Sequence, residues 1–166
     1  MGWRCSPLAE VRLAGLDDVD AIGRLLHDFN EEYEEVTPGA EVIAQRLRPL
    51  MESGDSAVLL VGDGPDGFAL MRFRPSLWVE GLECYLAELY VRPPLRGQGR
   101  GRALMDAVLD LARERGAGYI ELNTGEDDTA ARALYERLGF SNREGKPDGA
   151  SQLYYELELR EESHGR

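Results

Sequence analysis

A glycine- and arginine-rich segment at residues 92–102 separates an apolar, strand-like run from a run with helical spacing. It contains three glycines at alternating positions, Gly97, Gly99 and Gly101, together with four arginines and no acidic residue. Glycine reaches positive φ and lets a ligand approach the backbone closely. The segment therefore predicts a loop that joins a strand to the N-terminus of a helix, as in folds that layer helices on a sheet.

Apolar periodicity over the rest of the chain predicts the element order β-α-α-β-β-β-α-β-α-β. Asp17 is the expected N-cap of the first helix. The last strand is predicted at residues 151–159, where Leu153, Tyr155 and Leu157 alternate with polar residues. The other strands are expected at residues 8–14, 57–61, 68–73, 82–91 and 119–123. This order implies an α+β or α/β fold, in which helices cover a mixed sheet.

Length and charge restrict the class of protein. The chain has 166 residues, which fits a single domain over residues 1–166 with a core at about residues 8–160. Its formal charge of −12 disfavours nucleic acid and anionic membranes as partners. No apolar run is long enough to span a bilayer, and no secretory segment precedes the first strand, so a cytoplasmic location is expected. Cys5 and Cys84 lack the spacing of metal ligands, and no metal site is predicted.

The chemistry of the loop points to an anionic ligand. Free N–H groups at a helix start, the positive end of the helix dipole and nearby arginines together suit a phosphate or pyrophosphate. A Walker A loop is excluded because Arg102 and Ala103 follow Gly101 where Lys-Ser or Lys-Thr is required. A dinucleotide-binding fold stays open as an alternative, with Glu121 as the acid that would contact a ribose.

Two segments resemble one known family. The pattern Arg96-x-x-Gly99-x-Gly101, which follows the run Leu89-Tyr90-Val91, resembles the acyl-CoA loop of the GCN5-related N-acetyltransferases. Residues 131–140 resemble the second conserved block of the same family, in the right order and at the right separation. The resemblance implies the three-layer α/β/α fold of these enzymes, with a mixed, mostly antiparallel sheet. It also implies acetyl-CoA as cosubstrate.

The resemblance assigns the residues that would hold acetyl-CoA. Leu89, Tyr90 and Val91 would contact the pantetheine arm and the acetyl carbonyl. Asn123 and Ala131 complete the expected set from the second block. The pyrophosphate would lie on the amides of the loop, which belong to Arg96, Gly97, Gln98, Gly99, Arg100, Gly101 and Arg102.

The resemblance also suggests an acid and a base for direct acetyl transfer. Tyr135 matches the tyrosine that protonates the departing CoA thiolate, although its spacing alone also fits a packing residue. Glu88 is the preferred base, ahead of Glu83 and Glu121. Related enzymes carry catalytic glutamates where this chain has Ala87 and Asn123, and therefore a non-catalytic acyl-CoA-binding module is the competing hypothesis.

Acidic residues are densest at the end of the first helix, in the run Glu31-Glu32-Tyr33-Glu34-Glu35. In the family that this chain resembles, this region shapes the acceptor site. We therefore expect a small-molecule or peptide amine as acceptor, with a cationic amine such as a polyamine, an aminoglycoside or a lysine as one hypothesis. A solvated helix end is the simpler explanation. Members of the family are often dimers, so a homodimer is a further expectation of the resemblance.

Overall fold

The structure, a computed structural model, describes residues 10–159, and the chain divides into two compact units after Leu122. The first unit contains β1 (Val11–Leu13), α1 (Val19–Glu32), α2 (Ala40–Glu52), β2 (Ser56–Val61), β3 (Gly67–Pro75), β4 (Leu82–Val91), α3 (Arg100–Glu114) and β5 (Ala117–Leu122), with short 3₁₀ turns at Leu16–Asp18 and Pro93–Leu95. The second unit contains α4 (Thr129–Arg137). The prediction of one domain over residues 1–166 stays a prediction.

The five strands form one sheet in the order β1-β2-β3-β4-β5. Strands β1 to β4 pair antiparallel, and β4 pairs with β5 in parallel. This confirms the mixed, mostly antiparallel sheet. The doubly wound parallel sheet that the dinucleotide-binding alternative requires is absent from residues 10–159, so that alternative was wrong.

Helices cover both faces of the sheet because its strands alternate buried residues between the faces. On one face, Ile22 and Leu25 of α1 and Leu47 of α2 pack with Phe68 and Leu70 of β3. On the other face lies α3, which buries Leu104, Met105 and Val108. No helix within residues 10–159 is long and apolar enough to cross a lipid bilayer.

The first helix begins differently from the prediction. Asp17 was expected as its N-cap, but a 3₁₀ turn precedes α1, and the adjacent Asp18 makes the local hydrogen bonds. Its carboxylate accepts from the Gly15 amide at 2.8 Å and from the Arg12 guanidinium at 2.7 Å. Either Asp17 or Asp18 suits the start of a helix by residue type. Asp18 makes these bonds because Arg12 on β1 lies beside it.

The last predicted strand is also wrong. Residues 152–159 have no regular secondary structure, and Ser151 forms only an isolated bridge with Arg143. Tyr154 and Tyr155 would lie on opposite faces of the predicted strand, and both side chains are exposed. A strand needs a hydrogen-bonded neighbour, and alternation alone does not provide one. Residue 160, at the end of the predicted core, and residues 8 and 9 of the first predicted strand lie outside the described residues.

Candidate active site

Strand β4 leaves part of its edge unpaired. Its ladder with β5 ends at the pair Leu86 and Leu122, although β4 continues to Val91. No strand within residues 10–159 pairs with the β5-side edge of residues 87–91. At about 3.3 Å per residue, this edge offers backbone N–H and C=O groups over roughly 17 Å. An extended ligand that carries amides can pair with such an edge.

A bulge in β4 changes which side chains face α1. Leu70 of β3 lies opposite Glu88, but the next residue, Met71, lies opposite Leu86, so Ala87 is the extra residue. Leu86 therefore packs on the α3 face together with Met71. Glu88 lies on the opposite face, the one that α1 and α2 cover, as does Tyr90. Glu88 and Tyr90, two residues apart on β4, thus share a face, as strand alternation requires.

The loop after β4 presents a group of unused backbone donors. Gly97 and Gly99 have φ values of 72° and 85°, and Gly99 is the N-cap of α3. Within the described part of the chain, the N–H groups of residues 97–102 donate to no other group. A Cβ at Gly97 or Gly99 would meet no atom within 4 Å, so these glycines serve the backbone conformation rather than a close contact. Such amides, together with the helix dipole, form a seat for a phosphate group.

The arginines of the loop already have carboxylate partners. Arg100 Nε lies 3.1 Å from Asp66 on the turn before β3, and Arg102 Nε lies 2.9 Å from Asp106 on α3 itself. Sequence reasoning missed Asp66, which is 34 residues from Arg100. The loop is therefore close to neutral overall, and its backbone amides are the donors that remain for an anion.

Two further arginines connect the end of β4 to α1. Arg92 lies 3.3 Å from Asp28, and Arg96 lies 2.7 Å from Glu32, one helical turn further along α1. Both acids lie at the end of the helix that carries the acidic run. Glu32 is thus turned toward the loop, whereas Glu31 lies 3.5 Å from His27 on its own helix. Neighbouring carboxylates of the acidic run thus have different partners, and the run does not form a single acidic surface.

The three carboxylates proposed as bases have different surroundings. Glu83 and Glu121 both accept from Arg74, at 2.8 and 2.9 Å. The bond from Arg74, followed by one from the Ser76 hydroxyl, lowers the pKa of Glu83. Glu88 has no such partner among the described residues. Burial, followed by repulsion from Glu35, raises its pKa to about 7. Of these three candidates, Glu88 is therefore the carboxylate best suited to exchange a proton near neutral pH.

The remaining predicted site residues lie in the second unit. Tyr135 is buried there and makes an edge-to-face contact with Phe140 at 6.0 Å. The amide of Ala131 donates to the Asp128 carboxylate at 3.0 Å, so Asp128 caps α4. Asn123 directly follows β5. The roles of Tyr135, Asn123 and Ala131 stay predictions.

Comparison with known proteins identifies the family. Residues 22–140 match the acetyltransferase (GNAT) family. The chain belongs to this family. It is 40% identical to a candidate acetyltransferase from Arthrobacter sp. FB24, whose crystal structure superposes with a TM-score of 0.84 over 95% of this chain and 100% of that one. The GNAT resemblance in the sequence is thereby confirmed, and the chain is an acyltransferase.

Two curated relatives are named acetyltransferases. The chain is 39% identical to the mycothiol acetyltransferase of Beutenbergia cavernae over 89 residues, which is 52% of this chain but only 29% of that protein. It is 27% identical to the thialysine N-epsilon-acetyltransferase of Caenorhabditis elegans over 76% of this chain and 79% of that protein. The two relatives are named for different compounds.

Proposed function

We propose that this protein transfers an acetyl group directly from acetyl-CoA to a primary amine of a cationic acceptor. The observation that carries the proposal is the combination, on one strand, of an unpaired edge and Glu88. The edge offers hydrogen-bonding groups to the pantetheine arm, and the amides of residues 97–102 offer a seat to the pyrophosphate. Leu89, Tyr90 and Val91 lie on this edge and would contact the donor.

The reaction needs one base and one acid. Glu88 takes a proton from the ammonium or amine, directly or through a water molecule, so that the nitrogen lone pair can attack the thioester carbonyl. A C–N bond then forms, the C–S bond breaks, and Tyr135 donates a proton to the CoA thiolate. Backbone N–H groups would stabilise the oxyanion between these steps.

Direct transfer requires no acetylated enzyme. Cys84 is fully buried on the α3 face, and burial raises the pKa of its thiol to about 11. A thiol in this environment is a poor nucleophile, because the thiolate is the reactive form. The only cysteine within residues 10–159 is therefore unsuited to carry the acetyl group. Within the same residues, no cluster of acidic, histidine or cysteine side chains suits a metal ion.

A cationic acceptor fits the electrostatics around the base. Glu35 acts on Glu88 strongly enough to raise its pKa, and the opposing effect of Arg72 is smaller. Two carboxylates that repel each other would both gain from a nearby ammonium group. The name of the C. elegans relative specifies an ε-amino acceptor, which is of this class.

The test is release of CoA from acetyl-CoA in the presence of an amine panel. Polyamines, aminoglycosides, lysine peptides and peptide N-termini form the cationic set, and neutral aryl amines form the comparison set. We expect turnover with the cationic set, and about a 10²-fold lower kcat in Glu88→Gln with unchanged CoA affinity. Glu83→Gln is the matched control on the same strand. A wild-type protein that binds acetyl-CoA but acetylates no amine would instead support the acyl-CoA-binding module.

A further inference from the structure

We propose that Arg96 is a positioning residue that couples the donor loop to the acceptor side of the site. Its side chain holds the last turn of α1 against the end of β4, so that donor binding on the loop orders the helix end beside Glu88. This inference rests on the proposed function and deepens it. It also gives the Arg96 side chain a role other than the phosphate binding that was expected of the loop arginines as a group.

The Arg96 guanidinium makes contacts through Nε, through its two terminal nitrogens and through its planar face. Nε donates to the carbonyl of Val91 at 2.8 Å. Nη1 and Nη2 lie 2.7 and 2.9 Å from the two carboxylate oxygens of Glu32, which makes a bidentate pair. The guanidinium carbon lies 5.6 Å from the centre of the Tyr90 ring. A planar fork with these contacts has little freedom to turn toward another anion.

Glu32 connects the same residues from the helix side. Its carboxylate, which takes the two bonds from Arg96, also lies near the Tyr90 hydroxyl: burial raises the pKa of that hydroxyl, and the charge of Glu32 raises it further. The Tyr90 ring in turn packs against Phe29, one turn earlier on α1, at 5.4 Å between ring centres. The last turn of α1 is thus held against the end of β4 by an ion pair through Arg96 and a ring contact through Tyr90.

The partners of the other loop arginines show why Arg96 has this role. Arg100 and Arg102 bind carboxylates outside α1 and leave that helix untouched. Arg92 does reach α1, but through one contact of 3.3 Å to Asp28. Arg96 is therefore the loop arginine with the most extensive connection to the helix end. Just beyond that end lies Glu35, which acts on Glu88.

The consequence is a coupling between the two substrates. A pyrophosphate bound to the amides of residues 97–102 would restrict the motion of the loop. The Arg96–Glu32 pair would in turn restrict the motion of the last turn of α1. The acceptor would then bind beside a helix end that is already ordered. Without the Arg96–Glu32 pair, the donor would still bind, but the acceptor would have to order the helix end itself and would bind more weakly.

The experiment compares Arg96→Gln, Glu32→Gln and the double variant with Arg92→Gln as matched control. Titration calorimetry measures the Kd for CoA, and steady-state kinetics measure kcat and KM for the amine. We expect the acceptor KM to rise about tenfold in both single variants, with the double variant no worse than either, while the Kd for CoA changes by less than about threefold. Arg96→Lys, which keeps the charge but loses the fork, should recover only part of the effect.

A second readout does not depend on turnover. Hydrogen exchange at residues 28–33 should slow when CoA binds to the wild type and to Arg92→Gln, but not when it binds to Arg96→Gln or Glu32→Gln. This comparison decides the coupling even if no amine is acetylated, in which case only the proposed function fails. If Arg96→Gln does not fold, Glu32→Gln reports on the same pair.

Two results would overturn the inference. The first is a Kd for CoA that rises tenfold or more in Arg96→Gln while the acceptor KM stays constant, because Arg96 would then be a phosphate ligand. The second is a normal response of residues 28–33 to CoA in both single variants.

Discussion

Replacing Glu88 with Gln is expected to stabilise the folded protein at alkaline pH while it removes the proposed catalytic base. The side chain is half-buried on the face that α1 covers, with Glu35 as a like charge nearby. Both features oppose ionisation. Gln keeps the shape of the side chain and removes the charge, so the comparison isolates the cost of holding a carboxylate at this position.

The magnitude follows from the pKa of Glu88, which rises from an ordinary 4.5 to about 7. A carboxyl group with a raised pKa holds its proton more tightly in the folded chain than in the unfolded one. The free energy of unfolding therefore falls as the pH rises from the unfolded pKa to the folded pKa. The full difference corresponds to about 3 kcal/mol above pH 8, and most of it, roughly 2–3 kcal/mol, develops between pH 5 and pH 8.

The assay is urea unfolding of wild type and Glu88→Gln at pH 5 and at pH 8. Relative to wild type, the variant should gain roughly 2–3 kcal/mol between the two pH values, which corresponds to roughly 5–10 °C in Tm. Any packing cost of the amide is the same at both pH values and cancels. Glu83→Gln serves as control. Because Arg74 lowers the pKa of Glu83, its stabilisation is already present at pH 5, and this variant should gain nothing at pH 8.

A constant stability difference between Glu88→Gln and wild type over this pH range would refute the reasoning. It would mean that Glu88 ionises in the folded chain at its ordinary pKa. The argument for Glu88 as a base near neutral pH would then lose its support. Glu35→Gln gives a second check, since it should reduce the pH dependence without abolishing it, burial being the larger cause.

Three other substitutions test the donor side and the helix packing. Tyr135→Phe should lower kcat by about 10²-fold with the Kd for CoA unchanged, and an unchanged kcat would make Tyr135 a packing residue. Gly99→Ala should cost about 1–2 kcal/mol in urea unfolding, because alanine disfavours the φ of 85°, and it should weaken CoA binding measured by calorimetry. Gly23→Ala places a Cβ 2.5 Å from the Ala40 carbonyl oxygen, so unfolding in urea should show a loss of about 1–3 kcal/mol with CoA affinity retained. Wild-type stability in that variant would mean that α1 and α2 separate easily.

Local sequence signals predicted the part of the fold that bears the proposed donor site. The predicted strand at residues 82–91 has the same bounds as β4, and α3 begins at Arg100, inside the glycine-rich segment that was predicted to lead into a helix. These boundaries are set by short-range features, namely apolar alternation, Pro93 and the glycines of the loop. The family resemblance rested on the same residues and was confirmed.

Long-range partners could not be predicted in the same way. Glu32 and Arg96 are 64 residues apart, and nothing near either residue indicates the pair. The loop was expected to be a basic surface because its local composition is basic, but the fold supplies carboxylates from α1, α3 and the turn before β3. The last predicted strand failed for a related reason. Apolar alternation at residues 151–159 is a property of that segment alone, whereas a sheet also requires a neighbouring strand that pairs with it.

The bulge at Ala87 links the stability of the fold to its chemistry. Leu86 and Glu88 are two residues apart, so in a regular strand they would face the same side. With Ala87 inserted, Leu86 enters the core against α3, and Glu88 faces α1 beside the unpaired end of the strand. The same irregularity thus completes a hydrophobic core and places a carboxylate where ionisation is costly. A substitution that relieves this cost also removes the proton acceptor, so at position 88 we expect variants to gain either stability or activity, and not both.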